Sequence, residues 1–594
     1  MKVRALTSET STPQSTREIT VLAEDPSVRL RGRKPLLTKI KIPSEQLLRG
    51  PRSSRIEVID YDSSTGHFYE PYELPQDEDP YADADDIDKL VADPRFHAHQ
   101  VFGVASATLF EFERALGRNL SWGFPGRSHQ LKIIPHAFRE ANAFYSRSEE
   151  ALLFGYFANP KSPKKKNVFT CLSHDIVAHE TTHAILDGLR DQLTRPSSPD
   201  QAAFHEGFAD IIALLSNLRS ESLIQLGLKT SRLSDHPADR IELDKALLAI
   251  KEESILTGLA SEMGQATTAL GRGALRRSIA IEPNPKYMKD VTESHERGEI
   301  LVAAVMHAFL KVWHARLAGK YKMAVEPAAG SAKSTPRRRR HRVDAWRVAE
   351  EGAKAAQHLL TMVIRAVDYL PPVHIEFRDF LMAMITSDWQ TCPDDTAYGY
   401  RKLLLSSFKD FGIEPHSVVS VAEPGAFKPC EDVLHYSRGN NASMRSDCDG
   451  MFRFIWENCK ALNLVEGAYT RVSSVRPVWR VAPDGFILHE TVAEYYQLVK
   501  NADITDLRQM GISIPDVLRD GASFGLVGGG TLIFDEFGLL KFHISNHLNS
   551  RRQANRLSYL FAMGQLGGSP PGDRPFAMCH LRRSGMRFQR PPGT

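Results

Sequence analysis

Cysteine is scarce in this 594-residue chain: there are six, with no C-x-x-C pair among them. That excludes a disulfide framework and points to a reduced compartment. An excess of one charge is also missing. Lys+Arg number 75 and Asp+Glu 72, for a formal net charge of +3. So balanced a total argues against nucleic acid as the main partner. Long hydrophobic runs are absent. The longest near the middle, Ile300 to Met306, falls far short of the ~20 apolar residues that cross a bilayer, so no membrane is expected. The opening MKVRALTSETSTPQSTRE lacks the apolar stretch of a secretory signal, and a cytoplasmic location is the expectation. What is present, 42% hydrophobic and 25% charged residues, is the composition of a soluble globular protein. It excludes an extensively disordered, collagen-like or coiled-coil chain.

The pattern divides the chain into four. Residues 1–16 are Ser/Thr-rich and expected to be disordered. Residues 17–170 carry short β-like runs (EITVLA, LLTKIKIP, RIEVIDYD, LKIIPHAF, ALLFGYF) bounded by turn residues, with one helical stretch from His97 to Leu116. Asn142 to Tyr145 falls in a loop between the last two runs, and Lys161 to Lys166 reads as a solvated turn. The acidic stretch 77–88 includes Asp83, Asp85 and Asp86 but lacks the glycine and closing glutamate of an EF-hand. It reads as a linker that caps the next helix. Residues 171–415 are mainly helical, interrupted at 326–342 by a basic low-complexity loop. Its arginines, Arg337 to Arg340 and Arg342, read as solvated rather than as a nucleic-acid site. In residues 416–594, VGGGTLIFDEFGLLKFHI predicts two strands and NSRRQANRLSYLFAMG a helix, together an appended α+β domain of unassigned role. The expected fold class is α+β, with a β-rich N-terminal half and a helical C-terminal half.

The chemistry concentrates at His174-Asp-Ile-Val-Ala-His179-Glu180-Thr-Thr-His183-Ala-Ile-Leu-Asp187. His179 and His183 are four apart, so on a helix both imidazoles leave one face and can reach a single zinc at ~2.0–2.1 Å. Glu180 overhangs the same position, where a general base takes a proton from metal-activated water. With twenty-two histidines in the chain a chance match is uncommon, but two histidines need a third ligand. The metzincin pattern is excluded, because Leu186 and Leu189 stand where its glycine and histidine would be. The stretch AFHEGFADIIALL offers Glu206 as third ligand and Asp210, one turn on, as acceptor for the other ring N–H of a ligating histidine. Alone these two would read as a solvated helix face. His174, His205, His307 and His543 read as structural, with His205 close enough to Glu206 to act as an adventitious ligand.

These residues resemble the thermolysin-like gluzincin peptidases. Asn142-Ala143-Phe144 is similar to the family's edge-strand segment, in which an Asn-Ala pair binds the substrate backbone. Asp175 matches an aspartate four residues before the motif. Ala274-Leu275-Arg276 is similar to the Ala-Leu-Arg whose arginine contacts the substrate carbonyl. Asp290 and His295 have the spacing of the family's aspartate and oxyanion-donating histidine. The resemblance covers roughly residues 90–310. It departs at the tyrosine between the two ligand helices, since Leu189 to Phe204 contains none, and at Asn217, which stands where a calcium-binding glutamate is common and argues against calcium. No Gly-x-Met-Glu-Asn segment marks an aminopeptidase.

The resemblance implies a zinc metalloendopeptidase with one Zn2+ per chain held by His179, His183 and Glu206. Glu180 and His295 would be catalytic, with Asp210 and Asp290 behind the histidines. Asn142, Ala143 and Arg276 would bind a peptide or protein substrate. The alternative is a zinc-retaining binding or scaffold protein with little turnover. The sequence assigns no oligomeric state.

Overall fold

The computed structural model describes residues 15–566, except 31–32, 125–128, 160–165, 196, 232, 234–235, 237–239, 243–277, 325–341, 417–419, 437–443, 483 and 520. Strand β1 (Thr16–Leu22) pairs antiparallel with β2 (Leu37–Pro43). It starts inside the tail expected to be disordered, because Thr16 finds a partner in Pro43. Strand β3 (Ile56–Val58) opens a five-stranded sheet, while β4 (Tyr61–Asp62) and β5 (His67–Phe68) form a small antiparallel pair.

The acidic linker ends in a cap. The Asp86 carboxylate accepts from the Asp88 N–H at 2.9 Å and starts helix α1 (Ile87–Ala92). Asp93 then caps α2 (Pro94–Leu116), which carries proline in its first turn. Gly117 ends α2 at φ 70°. A Cβ there would meet the Trp479 carbonyl oxygen at 2.0 Å, and the Trp479 N–H donates to the Gly117 carbonyl at 3.0 Å. Only glycine accepts both the left-handed backbone and that approach.

In the five-stranded sheet, β6 (Leu131–Phe138) lies parallel between β3 and β8 (Ala151–Ala158). Strand β7 (Ala143–Ser146) runs antiparallel along β8 as the sheet edge, and β9 (Asn167–Phe169) pairs the other end of β8. The segment expected as a loop is therefore mostly strand. Four residues are too few to show alternation, but Ala143 to Ser146 pair in register with Phe154 to Ala151.

The helical half contains α3 (His174–Leu189), α4 (Pro199–Asn217) and α5 (Glu221–Thr230). After β10 (Arg240–Glu242) follow α6 (Tyr287–Asp290) and α7 (Ser294–Ala324). Strand β11 (Arg342–Asp344) pairs antiparallel with β10, and α8 (Ala345–Ala366), α9 (Phe377–Thr391) and α10 (Tyr400–Asp410) complete the half. Helix α4 packs between α3 and α7. Within α7, Glu296–Ala318 is long and apolar enough to cross a membrane, a longer stretch than the run seen in sequence. Yet 67% of its most apolar window is buried inside the protein, with Leu301, Val305, Phe309 and Trp313 wholly enclosed in the main core.

The last part holds α11 (Cys448–Glu457), strands β12 (Tyr469–Val481) and β13 (Ile487–Ala502), and α12 (Ile504–Gln509). Strands β14 (Phe524–Phe534) and β15 (Leu540–Asn546) and helix α13 (Arg552–Ala562) follow. Strands β12 to β15 form one antiparallel meander. Ile533, Phe542 and Ile544 enter the main core, while Leu532, Phe534 and Tyr495 pack with Phe454 and Ile455 of α11, as the period-2 alternation of strands demands. The seam is charged and buried. Asp368 takes Arg118 and Arg480, each at 2.6 Å, and Tyr369 donates to Glu490 at 2.9 Å. Burial alone would raise the Asp368 carboxyl, but the two guanidiniums override it and hold it well below the usual carboxylate range. The region expected as an appendage thus shares its core with the helical half.

Candidate metal centre

Helix α3 begins after Ser173, with Asp175 in its first turn accepting from the Ile176 N–H at 2.8 Å. Helix α4 begins at the Ser198 cap, whose hydroxyl accepts from the Gln201 N–H at 3.0 Å. The two helices bring together what the sequence separates. His179 Nε2 and His183 Nε2 are 3.0 Å apart. Glu206 lies 3.6 Å from the first nitrogen through Oε2 and 3.5 Å from the second through Oε1. All three residues are buried, and their ligand atoms fall within 4.8 Å of one another.

A polar group stands behind each ring. His179 Nδ1 is 2.8 Å from Asp210 Oδ1. A carboxylate only accepts, so this contact suits the tautomer with the proton on Nδ1 and the lone pair on Nε2. His183 Nδ1 is 2.7 Å from His205 Nδ1. Burial lowers His205 to about 4, and a neutral imidazole there pairs with His183 Nδ1 in either tautomer. Two imidazole nitrogens and one carboxylate thus converge in a group that could hold a metal ion. His205, watched as an adventitious ligand, stands behind His183 instead. The other histidines read as structural have close polar neighbours: His174 at the Leu22 carbonyl (3.1 Å), His307 at that of Ile279 (3.0 Å), and His543 at the Tyr495 hydroxyl (2.8 Å).

The edge strand is stitched to the motif helix. The Tyr145 N–H donates to Glu180 Oε2 at 3.0 Å. The Tyr145 hydroxyl donates to Asp187 Oδ2 at 2.8 Å, and Arg147 reaches Asp187 Oδ1 at 3.1 Å. Burial and the Asp187 carboxylate push the Tyr145 phenol far above its ordinary value, so it stays a donor. Glu180 is thereby aimed from both sides, by its helix and by β7, and it is only 2% exposed. Asn142 sits just before β7. Its side-chain oxygen accepts from the Ala143 N–H at 3.0 Å, and its carbonyl accepts from Gly155 at 2.9 Å.

Arg276 lies outside the described residues, as do Arg337 to Arg340. His295 is the second residue of α7, and its side chain lies outside what is described. Asp290 ends the short α6 and is exposed. Asn217 donates to the buried Glu24, whose carboxyl is raised well above its usual value by burial and then by Asp175 and Asp25. Among the described residues the five cysteines are free.

Sequence reasoning missed Tyr145, Arg147 and the role of Asp187. It also missed a second buried group of ligand-type side chains, His97, His136 and Cys171. Asp187 lies four residues after His183 on the same helix, so its place on the ligand face was available from spacing alone. No protein-family model and no curated protein matches this chain.

Proposed function

We propose that the chain is a zinc-dependent metalloendopeptidase of thermolysin-like fold. One observation carries this: a His2Glu donor set converges beside a carboxylate, Glu180, that is fixed by the N–H of a sheet-edge strand. Zinc bound by His179, His183 and Glu206 would supply Lewis acidity toward a water and a substrate carbonyl. Glu180 takes the proton of the attacking water and returns it to the leaving amine. Peptide or protein is the proposed substrate class, because a metal-activated water beside a carboxylate base suits attack on an amide carbonyl. His295 and Arg276 are the proposed donors to the oxyanion.

The test is cleavage of a mixed peptide library. Activity should vanish with a chelator and return with zinc. It should be lost in Glu180→Gln while zinc stays bound. The near-complete burial of Glu180 favours a second reading, a zinc-retaining binding protein with little turnover. That reading is adopted if the wild-type protein holds zinc and cleaves nothing.

A further inference from the structure

A second set of histidines lies in the β-rich half, away from the H-E-x-x-H helix in sequence. His97 belongs to α2, His136 to β6, and Cys171 to the 3-10 turn Thr170–Leu172 that leads into α3. Their exposures are 1%, 2% and 0%. His97 Nδ1 and His136 Nε2 are 2.7 Å apart, and the Cys171 sulfur completes a group within 4.8 Å. The Phe169 ring closes over both imidazoles, at 4.7 and 5.5 Å between centroids, and Tyr69 lies 4.8 Å from His136.

Proton accounting shows what such a cluster needs. His97 Nε2 is 3.0 Å from the Val91 carbonyl oxygen. A carbonyl only accepts, so that nitrogen carries the ring proton. His136 Nδ1 is 2.8 Å from Asp60 Oδ1, so that nitrogen carries its ring proton too. With both rings neutral, the two atoms left facing each other are lone pairs, buried among aromatic rings, with a sulfur beside them. Facing lone pairs repel unless a cation sits between them. A shared proton would satisfy the two rings but gives the sulfur nothing to do. A dication satisfies all three donors, and with the Cys171 thiolate and the Asp60 carboxylate the local charge sums to zero. The arrangement repeats that of His179 and His183, where one ring is backed by Asp210 and the nitrogens also face each other.

We propose that His97, His136 and Cys171 bind a second zinc ion, a structural centre, with Asp60 orienting His136. Nitrogen and thiolate donors suit zinc, enclosure suits a structural rather than a catalytic site, and the three protein donors leave the fourth tetrahedral position to a further ligand. Tetrahedral zinc holds two ligating nitrogens roughly 3.3 Å apart, so binding opens the ring pair by about half an ångström. The bound ion would tie α2 and β6 to the turn that launches α3.

Cobalt substitution separates the two centres, because only this one has a thiolate. The full-length protein, stripped and reloaded with Co2+, should take up two equivalents and show a thiolate-to-cobalt charge-transfer band. Cys171→Ser should lose that band and one equivalent. His183→Ala should lose an equivalent and keep the band, which holds whether or not the first centre is catalytic. Should Cys171→Ser fail to fold, a variant with Cys392, Cys430, Cys448, Cys459 and Cys579 all changed to Ser must retain the band. Absence of the band from wild type, or its survival in folded Cys171→Ser, would overturn the proposal and leave the histidines sharing a proton. Copper in place of zinc in the protein as purified would equally overturn it.

Discussion

The two buried histidine clusters are built alike and differ in what stands beside them. Each has ring nitrogens facing at close range, 3.0 Å for His179 and His183 and 2.7 Å for His97 and His136. Each has one ring backed by an aspartate at 2.8 Å, Asp210 or Asp60. The third donor is a carboxylate in one and a thiol in the other. Beside the first stands Glu180, held by a sheet-edge N–H. Around the second stand the aromatic rings of Phe169, Tyr69 and Tyr156. A base beside a carboxylate-bearing group suits proton transfer, whereas aromatic walls around a thiol donor suit retention of a metal.

The sharpest way to break this contrast is Glu180→Gln. Turnover should fall by about 10²–10⁴-fold with zinc content unchanged, because the amide cannot accept the water proton. Peptide cleavage beside metal analysis reads both, and equal cleavage by the two proteins would remove Glu180 from the chemistry. Asp368→Asn serves as a control of another kind. It leaves Arg118 and Arg480 under-compensated in a buried seam and should cost about 3–5 kcal/mol of stability. Denaturant unfolding should then show both clusters lost together rather than one emptied selectively.

Next in size is His295→Ala, expected to slow turnover by about 10²–10³-fold with zinc retained, as loss of one oxyanion donor does. A variant that lost zinc instead would make His295 a ligand and displace Glu206 from that role. The smallest effects belong to the aspartates behind the rings. Asp210→Asn and Asp60→Asn should each weaken metal binding about 10–100-fold, each at its own cluster alone. Competition with a chromophoric chelator measures this, and weakening of both centres by either change would show that the clusters are not independent.

The first cluster was legible in the sequence because its parts ride on periodic elements. His179 and His183 share a helix at i and i+4, as do Glu206 and Asp210, so spacing alone placed each pair on a face. The second was not, because its ligands come from a helix, a strand and a 3-10 turn. His97 and His136 are 39 residues apart, and no local period links them to Cys171. His97 appeared in the sequence only as the start of an amphipathic helix. Strand β7 was hidden for a different reason. Its pairing with β8 is a tertiary fact, and four residues carry too little pattern to announce it. The shared core of β14 and β15 with the helical half was invisible in the same way. Ile533, Phe542 and Ile544 look like any alternating strand residues until the partner face is known.

Anomalous diffraction at the zinc edge, from crystals of the full-length protein grown with zinc, tests the two-centre description most directly. Two peaks are expected. One should lie among His179 Nε2, His183 Nε2 and Glu206 at ~2.0–2.2 Å from each, the other among His97 Nδ1, His136 Nε2 and Cys171 with a longer ~2.3 Å bond to sulfur. A map with no peak beside His179, His183 and Glu206 would contradict the proposed catalytic centre, and with it the proposed peptidase.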